Sequence, residues 1–325
     1  MAVFTTLTPL EVRKELPDFN IGELLSLEPI ASGIENTNYF LDTTEGRWVL
    51  TVFERLSESQ LPFYLELCAH LRSQGCPVAA PVRTKSGQLF SHIKGKPFSI
   101  ANRLEGRSIE NVTAKECANM GEVLARMHIA ARGFSLFQEN LRGPQWWQAT
   151  APVVLPHLDP TVGAMLSEEV NHQLTVFSDS QFQALPVAAC HCDLFRNNAM
   201  IVGHGTEQEH VSGVFDFYFA GCTALLFDVA VTVNDWCTDF EAPDLHLDPR
   251  KTEAFLRAYH AVLPFTDAER RWWPDMLRAA ALRFWLSRLY DFYQPRKASL
   301  LKPHDPTYFE RILRNRKRVT FPLVD

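Results

Sequence analysis

The sequence predicts an α+β chain of two lobes: a small antiparallel-sheet N-terminal lobe with one main helix, and a larger, mostly helical C-terminal lobe. Three observations predict this. Short β-type runs fill residues 24–54 and 77–106, punctuated by turn residues. The one long stretch of helical apolar spacing within that region lies at 61–75. Beyond Gly106 helical periodicity takes over. A chain of 325 residues can hold two such lobes. The change of texture between Glu105 and Gly106 sets the expected domains at 1–105 and 106–325. With no Pro/Gly/Ser-rich linker between them, they read as lobes hinged over a cleft.

Each element follows from local signals. Residues 7–16 form a short helix with Thr8 as cap and Pro9 in its first turn. Two β-type runs follow at 24–32 and 38–54, the second broken by a hairpin turn at Thr44, Glu45 and Gly46. Apolar positions 61, 64, 65, 68 and 71 mark an amphipathic helix ending at Gly75. Two or three further strands turn at Ser86–Gly87 and at Lys94–Gly95. In the second lobe, apolar positions 117, 120, 124 and 127 define a helix face, with Thr113 and Glu116 as a capping box. A helix across 161–178, a strand–turn–strand around 199–217, and helices within 253–263 and 272–293 complete the reading.

Composition narrows the function classes. A net charge of −6 and an isoelectric point near 6.0 argue against a nucleic-acid binder. The one basic run, "RILRNRKR" at 311–318, reads as the solvated end of a helix. No apolar run approaches the roughly 18 residues that cross a bilayer, so no membrane partner is expected. The N-terminus lacks the pattern of a signal peptide. Seven irregularly spaced cysteines read as reduced thiols in a cytoplasm. A monomer or homodimer acting on small molecules is expected.

The densest chemistry lies in "CHCDLFRNN", 190–198. A zinc reading fares poorly, because structural zinc sites usually use paired Cys-x₂₋₄-Cys units and no second pair lies nearby. In extended chain Cys190 and Cys192 would point one way as small apolar packers, with His191 opposite. A phosphotransferase reading does better. Transfer from ATP needs a carboxylate near the acceptor hydroxyl and two more oxygen ligands for Mg²⁺. Asp193 supplies the first. "AMIV" (199–202) and "SGVFDF" (212–217) form a hairpin whose open end brings Asn198 and Asp216 side by side. The three together form the oxygen-rich site that a hard cation prefers.

"HCDLFRNN" followed by "GVFDFYFAG" resembles the aminoglycoside-phosphotransferase-like kinases, relatives of the protein kinases. The segments 33–54, 61–82, 121–128, 234–237 and 282–292 extend the resemblance over nearly the whole chain. They narrow it to the homoserine kinases of that superfamily, the bacterial threonine-pathway type. The resemblance implies a bilobal protein-kinase-like fold and ATP-dependent phosphorylation of the side-chain hydroxyl of L-homoserine, with ATP and Mg²⁺ as cofactors. It implies Asp193 as catalytic base, His191 as the residue that orients the loop, and Asn198 and Asp216 as Mg²⁺ ligands. Asp228 would hold the catalytic loop from within the large lobe.

The remaining expectations concern the ligands. No P-loop or full Gly-x-Gly-x-x-Gly occurs, so Gly33 with the amides of Asn36 and Asn38 would cradle the phosphates. Adenine would lie against residues 102–105 and Val49. Kinases of this type carry a strand lysine where Thr51 stands, so a substitute cation is required. Arg55 would serve if the strand continues, with Lys94, Lys96 and Arg103 as alternatives. Glu66 then reads as a solvated helix charge. A zwitterionic acceptor needs a guanidinium for its carboxylate. Arg283 or Arg288 would supply it beside Ser287 and Tyr290 or Asp291, and Asp235 and Trp236 would complete the pocket. A sibling kinase acting on choline, methylthioribose, hydroxylysine or an aminoglycoside would share the catalytic residues. A non-catalytic pseudokinase is the alternative that Thr51 keeps open.

Overall fold

The computed structural model describes residues 4–30, 36–294, 304–319 and 321–324. Contacts divide the chain into two compact units that meet in sequence at Glu105 and Gly106.

The first unit is built on a five-stranded antiparallel sheet. Helix α1 (Pro9–Glu15) starts at a capping box in which the Thr8 hydroxyl accepts the Glu11 N–H. Strands β1 (Leu24–Pro29), β2 (Thr37–Thr43) and β3 (Gly46–Val52) form a meander, with Thr44 and Glu45 as the β2–β3 turn. Helix α2 (Leu61–Ser73) follows, then β4 (Ser91–Ile93) and β5 (Lys96–Asn102), in sheet order β1-β2-β3-β5-β4. The β4–β5 turn needs two residues at positive φ, and Lys94 at 51° and Gly95 at 74° provide them.

Period-two alternation then decides which side chains share a face. Tyr39, Leu41, Leu50, Val52, Phe98 and Ile100 are buried on one side, against Leu7, Val12 and Leu16 of the N-terminal segment. The other side carries the paired rows Asn38–Thr51–Ser99 and Phe40–Val49–Ala101.

The second unit is mostly helical. Helix α3 (Ala114–Ala131) opens on the Thr113–Glu116 capping box. Next come α4 (Pro144–Val154), α5 (Pro160–Ser178) and the short α6 (Ser180–Gln183). Two small antiparallel pairs follow: β6 (Val187–Cys190) with β9 (Gly221–Ala224), and β7 (Ala199–Val202) with β8 (His210–Val214). Helices α7 (Leu225–Trp236), α8 (Pro249–Val262), α9 (Asp267–Tyr293) and α10 (Thr307–Arg318) complete it. Every residue of α7 is buried, so its polar members Asp228, Asn234 and Asp235 must find partners inside the protein.

The basic run in α10 departs from expectation. Arg316 is buried rather than solvated. Its guanidinium donates to Asn234 Oδ1, the Leu245 carbonyl, Asn315 Oδ1 and Thr238 Oγ1, at 2.8–2.9 Å. Burial draws its pKa down to about 10. None of the described helices is long and apolar enough to cross a membrane.

Candidate active site

The chain leaves β6 at Cys190 and turns sharply at Cys192, whose φ of 61° lies in the left-handed region. The extended alternation expected across Cys190, His191 and Cys192 therefore stops at Cys190, and all three side chains are buried. A non-glycine residue stays in that region only where its surroundings over-determine it. Asp228 supplies the constraint. It is fully buried, its Oδ2 accepts the His191 N–H at 2.9 Å and its Oδ1 accepts the Cys192 N–H at 2.7 Å. Burial favours the neutral acid, but the hydrogen bond from His128, with His191 and the Cys192 amide, outweighs it and holds the pKa below the ordinary carboxylate value.

His191 carries this order outward. Its Nδ1 accepts the Asp193 N–H at 3.2 Å, which leaves the ring proton on Nε2 to donate to the Phe215 carbonyl at 3.0 Å. Burial draws its pKa down, so the neutral ring that this pattern requires is favoured. The same ring packs on Phe217 with centroids 4.5 Å apart.

The β7–β8 hairpin brings the other two candidate oxygen donors to this loop. Ala199 pairs with Val214, and the Phe215 N–H donates to the Asn198 carbonyl at 3.0 Å. Asn198 thus stands across from Phe215, and Asp216 follows one residue on, exposed, with φ of 67°. Asn198 Nδ2 donates to the Asp193 carbonyl at 2.8 Å and approaches Asp193 Oδ2 at 3.3 Å. With its nitrogen committed to Asp193, the end of the amide left for a cation is Oδ1. Asn198 Oδ1 and the carboxylates of Asp193 and Asp216 are hard oxygen donors, a set that fits Mg²⁺.

A sulfur-containing alternative does not fit. His128, Cys190 and Asp228 offer ligand atoms within 4.8 Å of one another. Burial, with the charge of Asp228, pushes the Cys190 thiol pKa well up, and His128 and Asp228 are already hydrogen-bonded. A protonated thiol is a poor metal ligand.

The phosphotransferase enzyme family model matches residues 26–273, a span that contains this whole arrangement. The chain belongs to the phosphotransferase enzyme family. Curated relatives include the homoserine kinase of Cupriavidus necator, 51% identical over 320 residues, covering 97% of this chain and 96% of that protein. The homoserine kinase of Paraburkholderia phytofirmans is 49% identical over 319 residues, covering 97% and 96%. Among solved structures, an amicoumacin kinase in complex with AMP-PNP and Ca²⁺ superposes with a TM-score of 0.67 at 16% identity, covering 94% of this chain and 91% of that one. A microcompartment-associated aminopropanol kinase does so with 0.63 at 16% identity, covering 94% and 96%. These neighbours place the fold as α+β and kinase-like.

Several positions within this phosphotransferase differ from what spacing suggested. Asp235 and Trp236, expected to line a substrate pocket, instead brace the loop. Asp235 Oδ2 accepts the Arg196 N–H at 2.7 Å and its Nε–H at 3.0 Å, while the Trp236 indole N–H donates to the Leu194 carbonyl at 3.1 Å. Trp236 is only 1% exposed and presents no surface to a ligand. The spacing of "RNN" gave no sign of the Arg196–Asp235 pair, since its partners lie 39 residues apart.

The two arginine candidates lie on α9. Arg283 Nη2 is 3.7 Å from Asp193 Oδ1, Nη1 reaches Ser287 Oγ at 3.5 Å, and the guanidinium stacks over Phe284. Arg288 stacks over Tyr308 and Phe309; burial lowers its pKa, against the opposing charges of Tyr308, Asp235 and Asp193.

In the first unit, Thr51, where the resemblance leads a lysine to be expected, donates its hydroxyl to Asn38 Oδ1 at 2.7 Å. Val49 lies on the same sheet face, and the Arg103 guanidinium sits 3.9 Å over the ring of Phe40, also on that face. Asn36 is buried just before β2. Gly33 lies outside the described residues. Strand β3 ends at Val52, so exposed Arg55 does not continue the Thr51 face as expected. Lys96 points to the core side, paired with Glu54 and with Thr5 Oγ1 at 2.9 Å, and Lys94 pairs with Glu11 at 3.0 Å. Glu66 is bound by Arg83 at 2.7 Å, an exposed ion pair.

Proposed function

We propose that this chain is a homoserine kinase, transferring the γ-phosphoryl group of ATP to the side-chain hydroxyl of L-homoserine. The near-full-length match to homoserine kinases carries this reading, and the convergence of Asp193, Asn198 and Asp216 supports it. Asp193 accepts the proton of the acceptor hydroxyl as the new O–P bond forms and the bond to the β-phosphate oxygen breaks, giving ADP and O-phospho-L-homoserine. Loose transition states of this kind need positioning more than base strength. His191 and Asn198 provide it by fixing the backbone and carboxylate of Asp193. Asn198 Oδ1 and Asp216 would hold Mg²⁺, which when bound neutralises charge on the phosphate oxygens.

On the first unit, the face carrying Asn38, Val49 and Arg103 is assigned to the nucleotide. Arg103 is the candidate replacement for the missing lysine, because Lys94 and Lys96 are committed elsewhere and Arg55 lies beyond the strand. For the substrate carboxylate, Arg283 and Arg288 remain, each able to offer a planar fork.

The test is ADP release with purified protein, ATP and Mg²⁺ against a panel of L-homoserine, hydroxylysine, choline, methylthioribose and an aminoglycoside. Turnover with L-homoserine well above the rest supports the reading. Turnover confined to another acceptor overturns the substrate, and no turnover with any acceptor overturns the activity.

A further inference from the structure

Behind the catalytic loop, a buried chain of hydrogen bonds continues past Asp228 into two helices, α3 and α8, that carry none of the candidate ligand-binding residues. His128, on α3, directs Nε2 to Asp228 Oδ2 at 3.0 Å. Its Nδ1 lies 2.8 Å from the hydroxyl of Tyr259 on α8. With the Nε2 proton given to Asp228, Nδ1 accepts the proton of the Tyr259 hydroxyl. Both side chains are 1% exposed, so each is the other's partner in place of bulk solvent. Burial pushes the pKa of Tyr259 well up, which keeps the hydroxyl a donor.

A sequence feature explains how two helices come close enough for this bond. Gly121 of α3 lies against the backbone of α8: a Cβ there would sit 2.3 Å from the Phe255 carbonyl oxygen. His128 is two turns beyond Gly121 on the same face of α3, and Tyr259 is one turn beyond Phe255 on α8. The close approach at Gly121 therefore sets the spacing that lets a tyrosine reach an imidazole across the helix pair. The rings meet edge-on, with centroids 5.7 Å apart.

The consequence follows along the chain of bonds. Asp228 holds the amides of His191 and Cys192; His191 holds the Asp193 amide and the Phe215 carbonyl. His128 decides which way the Asp228 carboxylate faces, and Tyr259 decides which way the His128 ring faces. We propose that Tyr259 and His128 are positioning residues for phosphoryl transfer, aligning the 191–193 backbone through Asp228. The effect is on the aligned geometry of the loaded enzyme and not on ligand capture, so it falls on kcat and spares KM.

This inference rests on the proposed kinase activity, and the experiment separates the two. Wild-type protein is first assayed with ATP, Mg²⁺ and L-homoserine; absence of turnover there counts against the activity. With turnover established, Tyr259→Phe removes one hydroxyl and no volume. Its kcat is expected to fall about tenfold while KM for ATP and for homoserine stays within about twofold. His128→Gln, whose amide nitrogen can replace the Nε2 donor, is expected to keep more kcat than His128→Ala at comparable thermal stability. In the His128→Gln background, Tyr259→Phe should have no further effect. Wild-type kcat in Tyr259→Phe, a loss confined to KM, or equal losses in His128→Gln and His128→Ala would each overturn the proposal.

Discussion

His191 and Phe215 are joined by a hydrogen bond of 3.0 Å from the imidazole Nε2–H to a backbone carbonyl, one residue before Asp216. Through it, the loop that carries Asp193 and the hairpin end that carries Asp216 share one rigid connection. The second bond of the ring, in which Nδ1 accepts the Asp193 N–H, requires the neutral form, and burial lowers the His191 pKa from its ordinary 6.5. Below about pH 6.5 the unfolded chain takes up a proton at this position that the native protein resists, so stability falls as pH drops. Wild type should lose more melting temperature between pH 7 and pH 5 than His191→Asn does, measured by thermal unfolding in both buffers. Equal losses would show that His191 does not carry this dependence.

Removing the chemistry should separate from removing the scaffold. Asp193→Asn is expected to lower kcat by about 10²–10⁴-fold, the range for losing a positioned acid–base group. Its melting temperature should stay near wild type, because the amide preserves the shape. Asn198→Ala should lower kcat and also raise the Mg²⁺ concentration needed for half-maximal rate; a Mg²⁺ titration of both variants tells the roles apart.

If Arg103 replaces the missing lysine, Arg103→Gln should raise KM for ATP about tenfold, near the cost of one charge-assisted contact, and leave KM for homoserine unchanged. Arg55→Gln, altering an exposed residue beyond the strand, should change neither. Initial-rate measurements with each substrate varied in turn decide this.

Arg316 offers a stability test away from the site. Truncation to alanine strands the oxygens that its guanidinium now satisfies, and should cost about 3–5 kcal/mol in urea unfolding. Arg316→Lys should recover only part of this, since an ammonium cannot reproduce a planar fork with four acceptors.

Local signals made much of this legible in the sequence. The cap at Thr8, the capping box at Thr113, the turn at Lys94 and Gly95, and the hairpin joining Asn198 to the Asp216 end all depend on residues within a few positions of one another. What escaped depended on distant partners. Helix α4 was missed because Gly143, Pro144 and an internal Pro152 disguise it, while buried Trp147 anchors it. Cys192 looked like strand because the Asp228 carboxylate that bends it is 36 residues away. Asp235 and Trp236 looked like pocket residues until Arg196 and Leu194 took their polar atoms. Arg316 looked solvated because the groups around it come from α7 and the segment after it.

The hairpin has a further consequence for how the molecule can be altered. Asn198 stands across from Phe215 at its open end, with Asp216 one residue on, while the connection between its strands, residues 203–209, runs at the opposite end. A Cβ placed on Gly205 would have nothing within 4 Å. Chain length at that tip is thus uncoupled from ligand spacing at the base. A peptide tag or fluorescent reporter spliced at Gly205, on a tip tied to α3 on both sides by the His204–Glu116 and Lys115–Glu207 contacts, should leave the enzyme working and give a handle for watching it.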